Sequence, residues 1–259
     1  DYDDANRLVD VNGVPYTWDA NGNLLNDGTN TYAYDSANRL TSMSNQSTVS
    51  SYQYNGLGDR LSQTVNAQTT NYTLDLNAGL TQVLNDGTNS YLYGNGRIAQ
   101  TAGATTEYFL GDALGSVRQL TDAQGDITLA NAYEPYGTLA QSAGGAQTSY
   151  GFTGEFTDPS GMVYLRARYY MPNDGRFLTR DTWIGDYNSP LSLNRWMYVE
   201  GNPVNFTDSS GHFGTGPWCL GANFWTNPIA RADAAEKYVN RTALGYPISD
   251  YLNTYTAAG

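Results

Sequence analysis

A short turn signature recurs along this chain at nearly constant spacing, and that recurrence limits the fold more than any other feature. Trp18-Asp19-Ala20-Asn21-Gly22-Asn23-Leu24 aligns with Tyr34-Asp35-Ser36-Ala37-Asn38-Arg39-Leu40 and with Tyr54-Asn55-Gly56-Leu57-Gly58-Asp59-Arg60-Leu61. Asp3-Asp4-Ala5-Asn6-Arg7-Leu8 is a truncated earlier copy, and degenerate copies follow at 74–80 and 93–98. The anchors at positions 18, 34, 54, 74 and 93 lie 16 to 20 residues apart. A period of that length is one supersecondary unit repeated, and each unit must bury its apolar face against its neighbours.

The unit reads as a β-hairpin. Asn30-Thr31-Tyr32-Ala33-Tyr34 alternates aromatic and small side chains, the period-2 pattern of a half-buried strand. Asp35-Ser36-Ala37-Asn38 supplies a turn and Arg39-Leu40-Thr41-Ser42-Met43 starts the return strand. Asn26-Asp27-Gly28-Thr29 and its near-duplicate Asn85-Asp86-Gly87-Thr88 carry Asp-Gly, a strong hairpin signal. The 22 Tyr and 28 Gly match this pattern, because Tyr favours strands and Gly the turns between them. The expected fold is all-β, with tandem hairpins forming a sheet that curls as its twist accumulates. The tyrosines themselves read as packing of a layered sheet surface, or as faces on which a glycan would stack.

Charge removes one class of partner. A formal net charge of −12 opposes binding to a phosphate backbone, so no nucleic-acid partner is expected. The single cysteine, Cys219, cannot close an internal disulfide, and no metal or cofactor cluster stands out. No run is long and apolar enough to span a bilayer, and Asp1-Tyr2-Asp3-Asp4 lacks the basic and apolar regions of a signal peptide. The chain begins inside a repeat, which predicts a piece of a longer polypeptide.

The units resemble the YD repeat of the Rhs, Tc-toxin C-subunit and teneurin superfamily over roughly residues 1–140. From Tyr108 the texture changes. Tyr108-Phe109-Leu110-Gly111-Asp112-Ala113-Leu114-Gly115-Ser116-Val117-Arg118 is followed by Tyr133-Glu134-Pro135-Tyr136-Gly137 and Gly151-Phe152-Thr153-Gly154-Glu155. Leu165-Arg166-Ala167-Arg168-Tyr169-Tyr170 and Gly175-Arg176-Phe177-Leu178-Thr179-Arg180-Asp181 close the run. In this order the segments resemble the Rhs repeat-associated core, without the histidine of the common His-Asp-Leu-Gly-Ser form. The resemblance implies a hollow β-shell that encloses a cargo polypeptide, divided as repeats 1–107, core 108–212 and a variable tail 213–259. Read as one strand, 164–170 sets Arg166 and Arg168 on one face, facing carboxylates such as Glu155, Asp158 or Asp174.

The same resemblance points to a single piece of chemistry. The Rhs core ends in Pro-x4-Asp-Pro-x-Gly-Leu, with the chain cut after the last residue. Pro203, Asp208, Gly211 and His212 occupy those positions, and Ser209 and His212 replace the proline and leucine. The implied scissile bond is His212–Phe213. Asp181 and Asp208 match the family's aspartyl pair and Arg180 the basic residue beside it. Two carboxylates forced together cannot both ionise cheaply, so one keeps a proton to donate while the other activates water. The competing reading is that Asp208 only caps a turn and Asp181 only pairs with Arg180.

Beyond the cut, Asn227-Pro228 reads as a helix start, with Ile229, Ala232, Ala235 and Val239 along one face. The tail is therefore expected to be mixed or helical. Two functions follow from these readings. The first is a secreted or cell-surface shell that encloses its own C-terminal tail or another polypeptide and releases itself by intramolecular aspartyl proteolysis. The second is a non-catalytic adhesive or glycan-binding β-assembly. Further YD repeats or copies of the chain are expected partners in either case.

Overall fold

A computed structural model describes residues 1–212 and Gly214. Its sheets are antiparallel meanders whose strands pair with their sequence neighbours. After a small ribbon, Asp10–Val11 with Val14–Pro15, a seven-stranded meander runs from Thr17–Trp18 to Gln68–Asn71. An eight-stranded meander follows from Thr73–Asp75 to Leu139–Gly144. A four-stranded sheet of Phe156–Thr157, Val163–Leu165, Arg168–Met171 and Arg176–Phe177 completes the set. The expected all-β, curled-hairpin class is what the described residues show. The change of texture at residue 108 falls inside the strand Thr105–Gly111, so the meander continues across it. The expected tail helix, Cys219 and Phe213 lie outside the described residues. Among the described residues no helix is long and apolar enough to cross a membrane.

The repeat signature is a five-residue turn closed by one side chain. Asp3, Asp35, Asn55, Asp112 and Asp122 each accept backbone N–H groups two and four residues later through one oxygen, at 2.8–3.0 Å. The fourth residue of the turn takes positive φ, as at Asn38 (60°) and Gly58 (92°). Asn and Gly tolerate that region, which is why the signature reads Asp-x-x-Asn or Asp-x-x-Gly. The tyrosine before the turn sits at a bulge, for example between Ala33 and Tyr34 and between Gln53 and Tyr54. Its hydroxyl donates to a carbonyl of the preceding hairpin: Tyr34 to Leu24 at 2.8 Å, Tyr54 to Leu40 at 2.8 Å and Tyr93 to Val83 at 3.0 Å. One residue type thus fixes both the end of a strand and its junction with the previous unit.

The four-stranded sheet holds the meanders. Met162, Tyr169 and Leu178 pack with Leu24, Tyr32, Leu40, Met43 and Tyr52 of the first. Phe156 packs with Tyr72, Tyr91, Val117, Leu120 and Leu129 of the second. Between them lies Arg60, buried, with Nη1 2.7 and 3.0 Å from the two Asp158 oxygens and 2.8 Å from the Tyr169 hydroxyl. The rings of Tyr164, Phe156 and Tyr72 lie within 4.9 Å of its guanidinium carbon. A buried cation persists only where charge, hydrogen bonds and ring faces replace its water.

Candidate functional site

The stretch expected as one strand, 164–170, is a hairpin. Leu165 pairs with Arg168, and Arg166-Ala167 form the two-residue turn, with Arg166 at φ 59°. One arginine therefore sits in the turn and the other opens the return strand, instead of both lying on one strand face. Arg166 pairs with Glu155 at 2.7 Å, one of the three acids foreseen for it. The other two are engaged elsewhere, Asp158 by Arg60 and Asp174 by the Tyr16 hydroxyl at 3.3 Å.

This turn grips the segment before the expected cut. Arg166 Nη1 donates to the Ser209 carbonyl at 2.6 Å, the Ala167 amide to the Ser210 carbonyl at 3.3 Å, and Arg168 Nε to the Gly211 carbonyl. Three consecutive donors thus meet three consecutive acceptors. Asp208-Ser209-Ser210-Gly211-His212 is itself an Asp-x-x-Gly turn related to the repeat kind, its acid taking the amides three and four residues later, with Gly211 at φ 79°. A Cβ there would collide with the Leu165 carbonyl oxygen and stand 3.0 Å from the Arg168 nitrogen, so both conformation and space require glycine.

Asp181 and Asp208 meet at Arg168. Its Nη2 lies 2.6 Å from Asp181 Oδ2 and 3.7 Å from Asp208 Oδ2. All three side chains are at least nine-tenths buried, and the guanidinium carbon sits 3.6 Å from the Phe177 ring centroid. Asp208 Oδ1 accepts from the Gly211 amide at 2.8 Å, the Ser210 hydroxyl at 3.0 Å and the His212 amide at 3.1 Å. Burial pushes the Asp208 carboxyl above its ordinary range and Asp181 adds to that, while Arg168 pulls the other way. His212 Nδ1 lies 3.1 Å from Asp181 Oδ1. The Trp183 amide donates to that same oxygen at 2.9 Å, and the Asp181 amide donates to the Arg195 carbonyl at 3.0 Å.

The structure brings together Asp181, Asp208, Gly211 and His212, and it leaves Arg180 outside. Thr179 and Asp181 are buried and Arg180 is exposed. The Arg180 side chain lies against Gly22, where an added Cβ would stand 3.1 Å from Arg180 Cβ. The cation on the acid pair is Arg168, distant in sequence from both. The strand pattern of 164–170 pairs Arg168 with other acids; only the hairpin turns it onto this pair.

The chain is similar to several known proteins. The family model described as Teneurin YD-shell matches residues 1–204. The tRNA nuclease WapA of Bacillus subtilis (strain 168) is 31% identical over 221 residues, covering 80% of this chain and 10% of WapA. Double-stranded DNA deaminase toxin A of Burkholderia cenocepacia is 23% identical over 273 residues, covering 85% of the chain and 19% of that toxin. A solved Photorhabdus luminescens Tc holotoxin pore containing TccC3 aligns with TM-score 0.60 at 23% identity, over 76% of this chain and 11% of that one. The chain thus spans from about a tenth to a fifth of the length of these relatives.

Proposed function

The chain belongs to the teneurin YD-shell family, and from that premise we propose that it is the closing end of a toxin-type shell that cuts itself between His212 and Phe213. The observation that carries this reading is the clamp on 209–211 together with the acid pair beside it. The backbone leading to the bond is held by Arg166, Ala167 and Arg168, and the His212 amide rests on Asp208. Holding the bond in the same chain supplies orientation in advance, an effect worth several kcal/mol.

In this mechanism Asp181, ion-paired to Arg168, is the charged partner and takes a proton from the attacking water. Asp208, whose burial favours the protonated form, donates its proton to the His212 carbonyl oxygen as the water adds. On collapse Asp208 takes that proton back from the gem-diol, and Asp181 passes the proton it took from water to the departing Phe213 nitrogen. Arg168 steadies the ionised acid in place of the Arg180 expected from sequence. We further propose secretion or cell-surface display and an enclosed polypeptide as partner, in keeping with toxin relatives such as YenC1 of Yersinia entomophaga.

A second reading has one observation in its favour. Asp208 caps its turn through three donors, much as the repeat acids cap theirs, so the pair would serve as a brace. Intact-mass analysis after folding separates the two. Under the first reading wild-type chain yields 1–212 and 213–259, Asp181→Asn and Asp208→Asn stay whole, and Arg180→Gln cuts like wild type. Wild-type chain that stays uncut after prolonged folding would leave the brace standing.

A further inference from the structure

The chain has a single histidine, His212, and it contributes its carbonyl to the bond expected to be cut. Its ring is turned toward the acid pair, with Nδ1 3.1 Å from Asp181 Oδ1. An ionised carboxylate only accepts, so Nδ1 carries the hydrogen of this bond whether the ring is neutral or charged. The contact therefore fixes the tautomer, and the second ring nitrogen is where the imidazole titrates. The His212 side chain is 23% exposed and that of Asp181 5%, so solvent protons reach the ring more readily than the acid it touches.

The oxygens of Asp181 are nearly filled. Oδ1 takes the Trp183 amide at 2.9 Å together with His212, and Oδ2 takes Arg168 Nη2 at 2.6 Å. A carboxylate offers about four acceptor positions, roughly two on each oxygen. A water therefore reaches Oδ1 only when one of its donors leaves, and the Trp183 amide is fixed in the backbone. The other charged and titratable groups here come from every element around the ring. Arg168 comes from the hairpin, and Asp208 from the turn that ends at His212. Burial raises the Asp208 carboxyl above its ordinary range, and Arg168 and the imidazole pull the other way. Arg195 donates through Nη2 to the Asp181 main-chain carbonyl. Tyr198 is buried near Asp208, and burial holds its phenol above the ordinary range, so it stays neutral. The imidazole is the group of this set whose ordinary titration falls near neutral pH.

We propose that the His212 imidazole is a proton-operated latch on Asp181: the imidazolium holds Oδ1 and keeps the chain whole, and the neutral ring yields that oxygen to the attacking water. Two effects act in the same direction. A hydrogen bond from a charged donor to a carboxylate is roughly twice as strong as one from a neutral donor, so the imidazolium resists displacement and the neutral ring does not. The imidazolium also sets a second cation on Asp181 beside Arg168, and positive charge there opposes uptake of the water's proton. A leucine, the residue that the Rhs core carries at this place, does neither. The substitution that departs from the motif thus couples the cut to pH, with acid holding the chain intact. The latch rests on the reading that the chain cuts itself between His212 and Phe213.

The test follows cutting by intact mass after refolding from urea, for the wild-type chain and for His212→Leu, between roughly pH 5 and 8. Both chains share the titrations of Asp181 and Asp208, which cancel when the variant rate is divided by the wild-type rate. That ratio should be constant above the imidazole midpoint and climb about tenfold per pH unit below it. His212→Asn, whose amide can donate from the place of Nδ1 without titrating, should give the same climb. A ratio that does not change with pH overturns the latch. The contact is read separately from the ring-proton NMR titration of the single histidine, in Asp208→Asn and in the same chain carrying Asp181→Asn as well. Loss of the Asp181 carboxylate should lower the midpoint by about 1 pH unit or more, and equal midpoints also overturn the latch. If wild type and both His212 variants stay whole at every pH, the self-cutting reading fails and the latch falls with it, whatever the NMR shows. Cutting with a flat ratio defeats the latch alone.

Discussion

Arg60 shows how much a single residue carries in this fold. Its Arg-Leu aligns in sequence with Arg39-Leu40, and Arg39 pairs with Asp35 at 2.6 Å on a half-exposed surface. In the structure the turn closes one residue earlier relative to it: Tyr54 pairs with Arg60 as Tyr34 pairs with Leu40, so Arg60 takes the inward place of Leu40 and is buried with Asp158. Surface pairs of the Arg39 kind contribute about 0–1 kcal/mol. Removing one partner of a buried pair strands the other charge and costs about 3–5 kcal/mol. Arg60→Met should therefore lower the urea-unfolding free energy by about 3–5 kcal/mol, and Arg39→Met by at most ~1 kcal/mol. Equal losses at the two positions would contradict the burial argument. Asp208 has a pH signature of the same origin. Burial raises its pKa in the fold, so between the unfolded and folded values the native chain holds more protons than the unfolded one. Its contribution to stability is present below the ordinary carboxylate pKa and is lost as pH rises through the raised value. The Asp208→Asn chain should lack that component of the stability-versus-pH curve, and an unchanged curve would argue against the raised value.

At the scale of the element, the turns were legible and the hairpin at 165–168 was not. Asp-x-x-Asn and Asp-x-x-Gly announce themselves because a side-chain oxygen and a positive φ are both local requirements. Asp35 illustrates the stake, since its carboxylate satisfies the amides of Ala37 and Arg39 at 2.9 and 3.0 Å. Asp35→Ala should cost about 1–2 kcal/mol, the net value of two modest hydrogen bonds, measurable by chemical denaturation. Asp35→Asn should recover most of it, because Asn55 makes the same two bonds in its own copy. Arg166-Ala167 gives no such warning. Nothing in Leu-Arg-Ala-Arg-Tyr marks a tight turn, and Arg166 adopts φ 59° against its own preference. What imposes the turn is tertiary: Glu155 and the carbonyls of 209–211 converge on it. For the same reason Arg180 was legible beside Asp181 and yet misplaced, whereas Arg168 became visible only in three dimensions.

For the whole molecule, the question is whether the two meanders are independent spirals or one cooperative body. Phe156 stands at the junction. It belongs to the buried cluster of the second meander and packs edge-on against Tyr72 at 5.5 Å and Tyr150 at 5.4 Å. The same ring lies 4.8 Å from the guanidinium of Arg60, which also faces Tyr52 and Tyr169 of the first meander's cluster. Truncating a buried Phe to Ala costs about 3–5 kcal/mol through lost burial and the cavity left behind. If the four-stranded sheet couples the meanders, that loss cannot stay on one side of it. Amide exchange in Phe156→Ala should then accelerate together in Tyr32, Met43 and Tyr52 and in Tyr91, Leu120 and Leu129. A repeat array with only nearest-neighbour coupling behaves otherwise, since damage to one unit spreads to adjacent units and fades. Acceleration confined to residues 72–144 would show that the meanders unfold separately and that the four-stranded sheet is an appendage of the second. Acceleration on both sides at a similar rate would make residues 156–177 the keystone that joins them.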